Sequence, residues 1–435
     1  MSDLPRRWKT LVIKDVLKAL PNGKLVGQGW SPLCDKEPAR ESEWGVLKTT
    51  AIQAGKFEPE YNKRLPANFS PKPNLEVHEG DLLITCAGPR SRCGVPCLIR
   101  STREKLMMSG KMYRFRPDES RIDPFFLEYF LLSPRAQRDI DGMKTGISES
   151  GLNLTHARFF ELKVPLPSLS EQRYIRDVLE EQFSRLDAAL ASVRTVREKS
   201  KPFRRSLLQS AFHGALAGDS EVSIPPDWSL LSLDEVSEVR LGRQRSPRNH
   251  SGLQMRPYLR AANVTWQGLD FNDVKEMNFS DEELEVFSLK SGDILVSEAS
   301  GSPNEVGKAA VFQGQIENCC FQNTLLRVRP LSIDTRYLHY FLTGTAMSGA
   351  YARESRGVGI SHLGRTKLAS WLVPVAPAAE QRRIVSVLDE QFSRLDEALI
   401  VTNQLEARIA SQRRSLLHAA FTGTLTTQWR ETNNG

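Results

Sequence analysis

Apolar residues recur at steps of three and four in two places along the chain. In the first stretch they are Ile175, Leu179, Phe183, Leu186, Leu190 and Val193; in the second they are Ile384, Leu388, Phe392, Leu395 and Leu399. That average spacing puts one apolar stripe on a helix and resembles a coiled-coil seam. Outside these stretches the pattern changes to short apolar runs set off by Gly, Pro and Asp, as in Gly80-Asp81-Leu82-Leu83-Ile84, which predicts a turn leading into a buried strand. Two long amphipathic helices therefore alternate with two mixed segments that carry the strands.

The two helical stretches are copies. Residues 171–190 and 380–399 are identical at 15 of 20 positions, at a constant offset of 209 and without a gap. The register holds to Arg204-Arg205-Ser206-Leu207-Leu208 against Arg413-Arg414-Ser415-Leu416-Leu417, and on to Ala211-Phe212-His213-Gly214 against Ala420-Phe421-Thr422-Gly423. About 42 residues at 1.5 Å each make a rod of roughly 63 Å. Ser168 or Ser170 can cap the first helix, Glu171 and Glu380 suit the first turn, and Gly214 and Gly423 are natural stops. Pro202, where the second copy has Ser411, predicts a kink or break. Matched seams of this length predict an antiparallel pair formed within the chain.

The segments before each helix repeat more faintly. Pro5-Arg6-Arg7-Trp8 is echoed by Pro225-Pro226-Asp227-Trp228, the Gly-Asp turn by Gly292-Asp293-Ile294-Leu295, and Arg114-Phe115-Arg116-Pro117 by Arg327-Val328-Arg329-Pro330. A helical stretch, residues 126–131, is echoed by 337–342, and Gly146-Ile147-Ser148 by Gly359-Ile360-Ser361. Between these anchors the sequences differ almost completely. The scaffold is duplicated and the surfaces on it are not.

Charge narrows the partner. The formal net charge is +7 over 435 residues, which favours a polyanion. Eight Lys and Arg lie between Leu82 and Arg116 against one acid, and six Arg with no acid lie between Arg240 and Arg260. Arg forks fit both phosphate and the guanine edge. The seven carboxylates from Asp270 to Glu285 are expected to face away from DNA or toward a protein. Enzymatic signatures fail their tests. Gly301 to Lys308 has five residues between its glycines and Ala309 where a phosphate loop needs Ser or Thr, and no dinucleotide, hydrolase or zinc-protease motif occurs. Cys86, Cys93 and Cys97 have poor zinc spacing, and Cys319-Cys320 reads as core. No run of about 18 apolar residues exists to span a bilayer, and a cytoplasmic location with free thiols is expected.

Two divergent globules alternating with two copies of a Glu-Gln-Arg…Ile…Leu…Leu-Asp helix resemble the specificity subunit of type I restriction–modification systems. The residues that carry the resemblance are Pro165…Glu171-Gln172-Arg173…Ile175 and Pro374…Glu380-Gln381-Arg382…Ile384, with the Gly-Asp turns and the closing Leu-Leu…Ala-Phe-x-Gly. It covers essentially the whole chain.

The resemblance implies an α+β, pseudo-twofold duplicated chain: two α/β target-recognition globules alternating with two long helices that pair as an antiparallel coiled coil. The expected boundaries are target-recognition domains at 1–165 and 219–374, helical spacers at 166–218 and 375–426, and a tail at 427–435. It further implies a non-catalytic subunit that reads the two halves of a bipartite, asymmetric site on double-stranded DNA. Two methyltransferase subunits would dock on the spacers and carry AdoMet for adenine-N6 methylation. Translocating restriction subunits would bring ATP and Mg chemistry, leaving no cofactor on this chain. Spacer and docking positions are Glu171, Gln172, Arg173, Ile175, Leu179, Phe183, Leu186 and Leu190, and Glu380, Gln381, Arg382, Ile384, Leu388, Phe392, Leu395 and Leu399. Expected DNA contacts lie in the variable loops: Gln28, Trp30, Lys48, Arg90, Ser91, Arg92, Lys144 and Thr145 in the first globule. In the second they are Arg243, Gln244, Arg245, Arg248, Asn263, Ser300, Asn304, Lys308, Arg353 and Arg356. A recognition module of another restriction–modification type, and a coiled-coil adaptor that binds only proteins, are the competing readings.

Overall fold

A computed structural model describes residues 4–212, 224–300, 305–354 and 361–433. It divides into two compact units, Met1–Val193 with Gln404–Gly435, and Arg194–Asn403. Each holds one strand-rich globule and one half of each long helix, Leu169–Ala211 and Ala378–Thr422.

In the first unit the central antiparallel sheet runs Pro96–Leu98, Leu82–Thr85, Met112–Pro117, Leu17–Lys18, with Gly27–Gln28 also on Met112–Pro117. Every side chain of Leu82–Thr85 is buried: Leu82, Leu83 and Ile84 form an apolar run, and the Thr85 hydroxyl donates to the Arg92 carbonyl at 2.5 Å. A smaller sheet pairs Gly45–Leu47 in parallel with Leu106–Met107 and antiparallel with Asn62–Arg64. Lys9–Val12 pairs with Lys163–Leu166, so the globule opens and closes on one ribbon that leads into the long helix. The second unit repeats this plan. Its four-stranded sheet runs Ser237–Leu241, Leu325–Pro330, Ile294–Ser297, Ala309–Val311, and Met255–Leu259 pairs in parallel with Cys320–Phe321. Ser229–Ser232 pairs with Leu372–Val375 as the closing ribbon.

The helix pairing is antiparallel in each unit. In the first, Asp187 meets Arg413, whose guanidinium lies 4.9 Å from the Phe183 ring centre. In the second, Asp396 meets Arg204, which lies 4.8 Å from Phe392. These are repeat-equivalent residues, so the same cross-helix cluster is built twice.

Part of the seam does something other than pair helices. Ile175 and Leu179 are buried with Leu82, Ile84, Phe115 and Phe126 of the first globule, and Ile384, Leu388 and Phe392 are buried with Ile294, Val296 and Phe341 of the second. Leu186, Leu190, Leu395 and Leu399, further along, are only half-buried. The first turns of each seam are thus globule core, and the later turns form the helix–helix contact. The end of each helix plugs the other globule. Phe421 packs edge-on against Phe126 and Phe130, at 5.2 and 5.4 Å, and Phe212 against Tyr337 and Phe341, at 5.1 and 5.5 Å.

The expected break at Pro202 does not occur; the helix runs through it. Pro202 is exposed, so water can reach the carbonyl left without its donor. Cross-helix bonds on either side, Arg197 to Asn403 at 2.6 Å and Arg204 to Asp396, hold the rod. Gly423 ends the second helix at φ +82°, as its position predicts. Gly214 lies outside the described residues. Ser168 caps the first helix, its Oγ accepting from the Glu171 N–H at 3.3 Å.

Candidate nucleic-acid interface

The repeated Gly-Asp and Arg-x-Arg-Pro anchors meet in both globules. Fully buried Asp81 accepts from Arg116 at 2.8 Å and from the His78 N–H at 2.9 Å, with Arg114 at 3.5 Å. Asp293 takes two bonds from Arg329, at 2.6 and 2.7 Å, and one from the Lys290 N–H at 2.7 Å. Arg114 and Arg327 are themselves buried and donate to loop carbonyls, Glu76 at 2.6 Å and Ser288 at 3.2 Å. These arginines fix the loops above the sheet and are not open to a ligand.

The same holds for much of the first basic stretch. Arg100 pairs at 2.6 Å with Glu128, whose carboxyl burial pushes above its ordinary range although Arg100 pulls it back. Arg103 donates to the carbonyls of Ala39, Glu41 and Glu43. Arg92 donates to the carbonyls of Thr49 and, at 2.6 Å, Ile52.

Of the eight expected contact residues in this globule, Arg90, Ser91, Arg92, Lys144 and Thr145 gather on two adjoining loops. Arg90 bridges Asp141 at 2.7 Å and Glu149 at 2.6 Å, and its hydrogen bond holds the Glu149 carboxylate below the usual range. Lys144, nearly buried, bonds Asp141 at 2.9 Å and the Arg90 carbonyl at 3.0 Å. Thr145 pairs by its backbone with Asn153. Ser91 and Gln28 are exposed, and Lys48 is half-exposed beside Thr49. Trp30 carries Lys72 over its ring at 4.2 Å and Phe69 at its edge.

In the second globule the acidic run lies against the basic one. It pairs with the arginines: Glu283 with Arg243 at 2.7 Å, Asp281 with Arg256 at 3.7 Å, and Asp273 with Arg260. Strand pairing of Met255–Leu259 with Lys275–Asn278 brings the two runs together, which sequence separation hides. Asn263 is buried, donating to the carbonyls of Asp270 at 2.9 Å and Asp273 at 3.2 Å while accepting from the Arg260 N–H. It holds a loop shut and is closed to bases. Lys308 pairs with Glu305, and Arg353 donates to the Ser348 carbonyl at 2.8 Å. Gln244, Arg245 and Arg248 remain exposed on one loop. Asn304 and Arg356 lie outside the described residues, as does the side chain of Ser300.

The spacer motif has a defined job. Buried Gln172 accepts from the Asp123 N–H at 2.8 Å and donates to Pro167 at 3.0 Å; Gln381 does the same with Asp334 at 2.9 Å and Ala376 at 2.7 Å. Asp123 and Asp334 cap the globule helices Pro124–Leu132 and Thr335–Ser348, so each Gln ties a spacer to a globule. Buried Glu171 takes bonds from Trp8 at 3.1 Å, Thr426 at 2.7 Å and Arg430 at 2.8 Å, a latch for the tail that sequence reading missed. Arg173 and Arg382 are exposed in both copies, as are the pairs Arg185–Glu181 and Arg394–Glu390.

Among the described residues no group of three or more metal-ligating side chains is present, and no helix is long and apolar enough to cross a membrane. The cysteines are free; burial pushes Cys86 up to about 11 and Cys319 and Cys320 up to about 12, which keeps them as thiols.

Fold and site together define a duplicated protein: one scaffold built twice, bearing two unlike sets of loops. The known proteins it is similar to are type I restriction–modification specificity subunits. Residues 225–409 match the model of the type I restriction modification DNA specificity domain. The EcoKI specificity subunit of Escherichia coli K12 is 28% identical over 89% of this chain and 84% of its own length. The EcoEI specificity subunit of Escherichia coli is 31% identical over 48% of this chain, a match spanning only 35% of that relative. A solved chain from a type I restriction–modification assembly superposes with a TM-score of 0.72 over 96% of this chain and 98% of its own, at 19% identity. The HsdS subunit from Thermoanaerobacter tengcongensis gives 0.56 over 97% and 98%, at 18% identity. At these identities the likeness establishes the fold.

Proposed function

We propose that the chain is the non-catalytic DNA-reading subunit of a cytoplasmic type I complex, each globule taking one half of a bipartite, asymmetric site. Target recognition falls to 1–165 and 219–374, and the helical segments 166–218 and 375–426 set the distance between half-sites, as dimer geometry does for helix-turn-helix proteins. The observation that carries this reading is the doubling of the scaffold with divergence of the loops: Asp81 and Asp293, Gln172 and Gln381, and Phe421 and Phe212 do the same work, while the exposed loops differ.

Side chains retained in both copies yet exposed, Arg173 with Arg382 and Arg185 with Arg394, suit docking of two methyltransferase subunits. AdoMet, ATP and Mg chemistry would reside on those subunits and on the restriction subunits. The DNA contacts that fit the geometry are Gln28 and Ser91 in one globule and Gln244, Arg245 and Arg248 in the other; the internally paired arginines position the loops. Mapping methylated adenines in a genome carrying this chain and its partners tests the reading. A two-part motif with a fixed gap is expected, and a continuous palindrome refutes it.

A further inference from the structure

The second globule carries a loop, residues 244–253, that is clamped at both ends and exposes most of its described side chains in between. At its start a Cβ on Gly242 would fall on the Gln322 carbonyl, and Arg243 bonds backbone to backbone with Phe321 at 3.1 Å. The Arg243 side chain donates to the Asn278 carbonyl at 2.6 Å and lies 4.8 Å from the Phe279 ring. At its end the Gln254 N–H donates to the same Asn278, through Oδ1, at 2.8 Å. One residue thus pins both stems, so the loop is presented by the fold.

What it presents is an apolar side chain on a cationic loop. Leu253 is 105% exposed, touching nothing that would remove it from water. The same loop carries Arg245, whose Nε donates to His250 Nε2 at 3.0 Å, and exposed Arg248. Residues 244–253 contain no Asp or Glu. The first globule has the equivalent loop: a Cβ on Gly29 would fall on the Ser109 carbonyl, Trp30 bonds to Met108 at 3.1 Å, and the chain then enters the parallel-paired strand Gly45–Leu47. It too carries a leucine held out in solvent, Leu33, at 84%. Beyond a Ser-Pro pair the loops differ, and the first carries Asp35, Glu37, Glu41 and Glu43 where the second has no acid, but each keeps one bare leucine.

We infer that Leu253 is a wedge that enters a base step of the DNA half-site taken by the second globule, with Arg248 on a neighbouring phosphate and Arg245 held in line by His250. An apolar side chain flanked by cations is the combination that unstacks base steps from the minor groove. The absence of any carboxylate from the loop favours a polyanion over a protein partner. This rests on the DNA-reading function proposed above and adds a residue outside the base-edge contacts expected from sequence.

The test uses the full chain assembled with its methyltransferase subunits and duplexes bearing the mapped site, with 2-aminopurine placed at each step of the half-site in turn. Wild type should raise the fluorescence at one step. Leu253→Ala should abolish that rise and weaken binding about tenfold, while Leu253→Met keeps both. Arg248→Ala should weaken binding to all sequences alike and lower the salt slope by about one. Leu253 packs on nothing, so thermal melting of the variant should match wild type and serves as the folding control. Unchanged unstacking or affinity in Leu253→Ala overturns the wedge, as does lost methyltransferase assembly with DNA binding intact. Failure of the wild-type complex to bind DNA in a salt-dependent way would instead overturn the underlying function.

Discussion

Replacing Phe421 by Ala probes how the two helices and the first globule depend on each other. Phe421 is 2% exposed and packs edge-on against Phe126 and Phe130, with Leu417 and Ala420 in the same core. Removing a buried Phe costs about 3–5 kcal/mol in lost transfer energy and cavity, and each aromatic pair adds about 0.5–1.5 kcal/mol. The helix Pro124–Leu132, which carries both partner rings, limits collapse, which places the expected loss at about 4 kcal/mol. In a unit of this size that lowers melting by roughly 10 °C. Urea unfolding followed by hydrogen exchange resolved by segment gives both the size and the place of the loss. Protection should fall in residues 82–130, although the mutated residue lies some 300 positions away in sequence. The second unit, plugged by Phe212, should keep its protection. A loss under about 1 kcal/mol, or one spread equally over both units, would refute the assignment of Phe421 as the plug of the first globule.

Gln172→Ala should destabilise the first unit by about 1–3 kcal/mol, because the Asp123 N–H and the Pro167 carbonyl lose a partner in a buried site. Denaturant titration checks this, and Gln381→Ala should cost the second unit a similar amount. His339 is half-buried, its Nε2 3.1 Å from the Ala309 carbonyl, and desolvation lowers its pKa while Arg336 adds to the effect. The unfolded chain therefore takes up a proton that the folded one refuses, so stability is full above about pH 6.5 and falls as pH drops below it. His339→Gln should flatten the decline in melting temperature between pH 7 and pH 5; an unaltered decline would remove His339 as its source. Cys34 is half-exposed whereas Cys86, Cys93, Cys97, Cys319 and Cys320 are buried. A thiol reagent should therefore modify one cysteine quickly and five only on unfolding, as counted by mass spectrometry.

The duplication, the two rods, the turns at Gly80 and Gly292 and the stop at Gly423 were legible because each depends on local spacing or on backbone angles that few residues adopt. The seam at 175–193 was legible as a helix face, but its first turns serve as globule core. Periodicity reports that a face is buried and does not report against what. The break expected at Pro202 fails for a related reason: helix propensity is local, while the cross-helix bonds that flank Pro202 come from residues about 200 positions away.

The candidate contact residues were least legible. Counting Arg and Lys marked two stretches correctly as basic but could not separate ligand-facing from structural cations. Arg114, Arg116, Arg327 and Arg329 are consumed by Asp81, Asp293 and loop carbonyls, and Arg243 and Arg260 by an acidic run that pairs across strands. Leu253 and Leu33 gave no signal in a pattern where an apolar residue reads as core by default.

By itself the sequence determined that the chain is one scaffold written twice, with two helices of matched face and two unlike surfaces, since identity at fixed offset and period are properties of the string. The tertiary structure alone decided which helix end closes which globule, and which charges are neutralised at home. It also decided which side chains stand bare to meet a partner. Those outcomes depend on pairs far apart along the chain, and only folding brings such pairs within bonding distance.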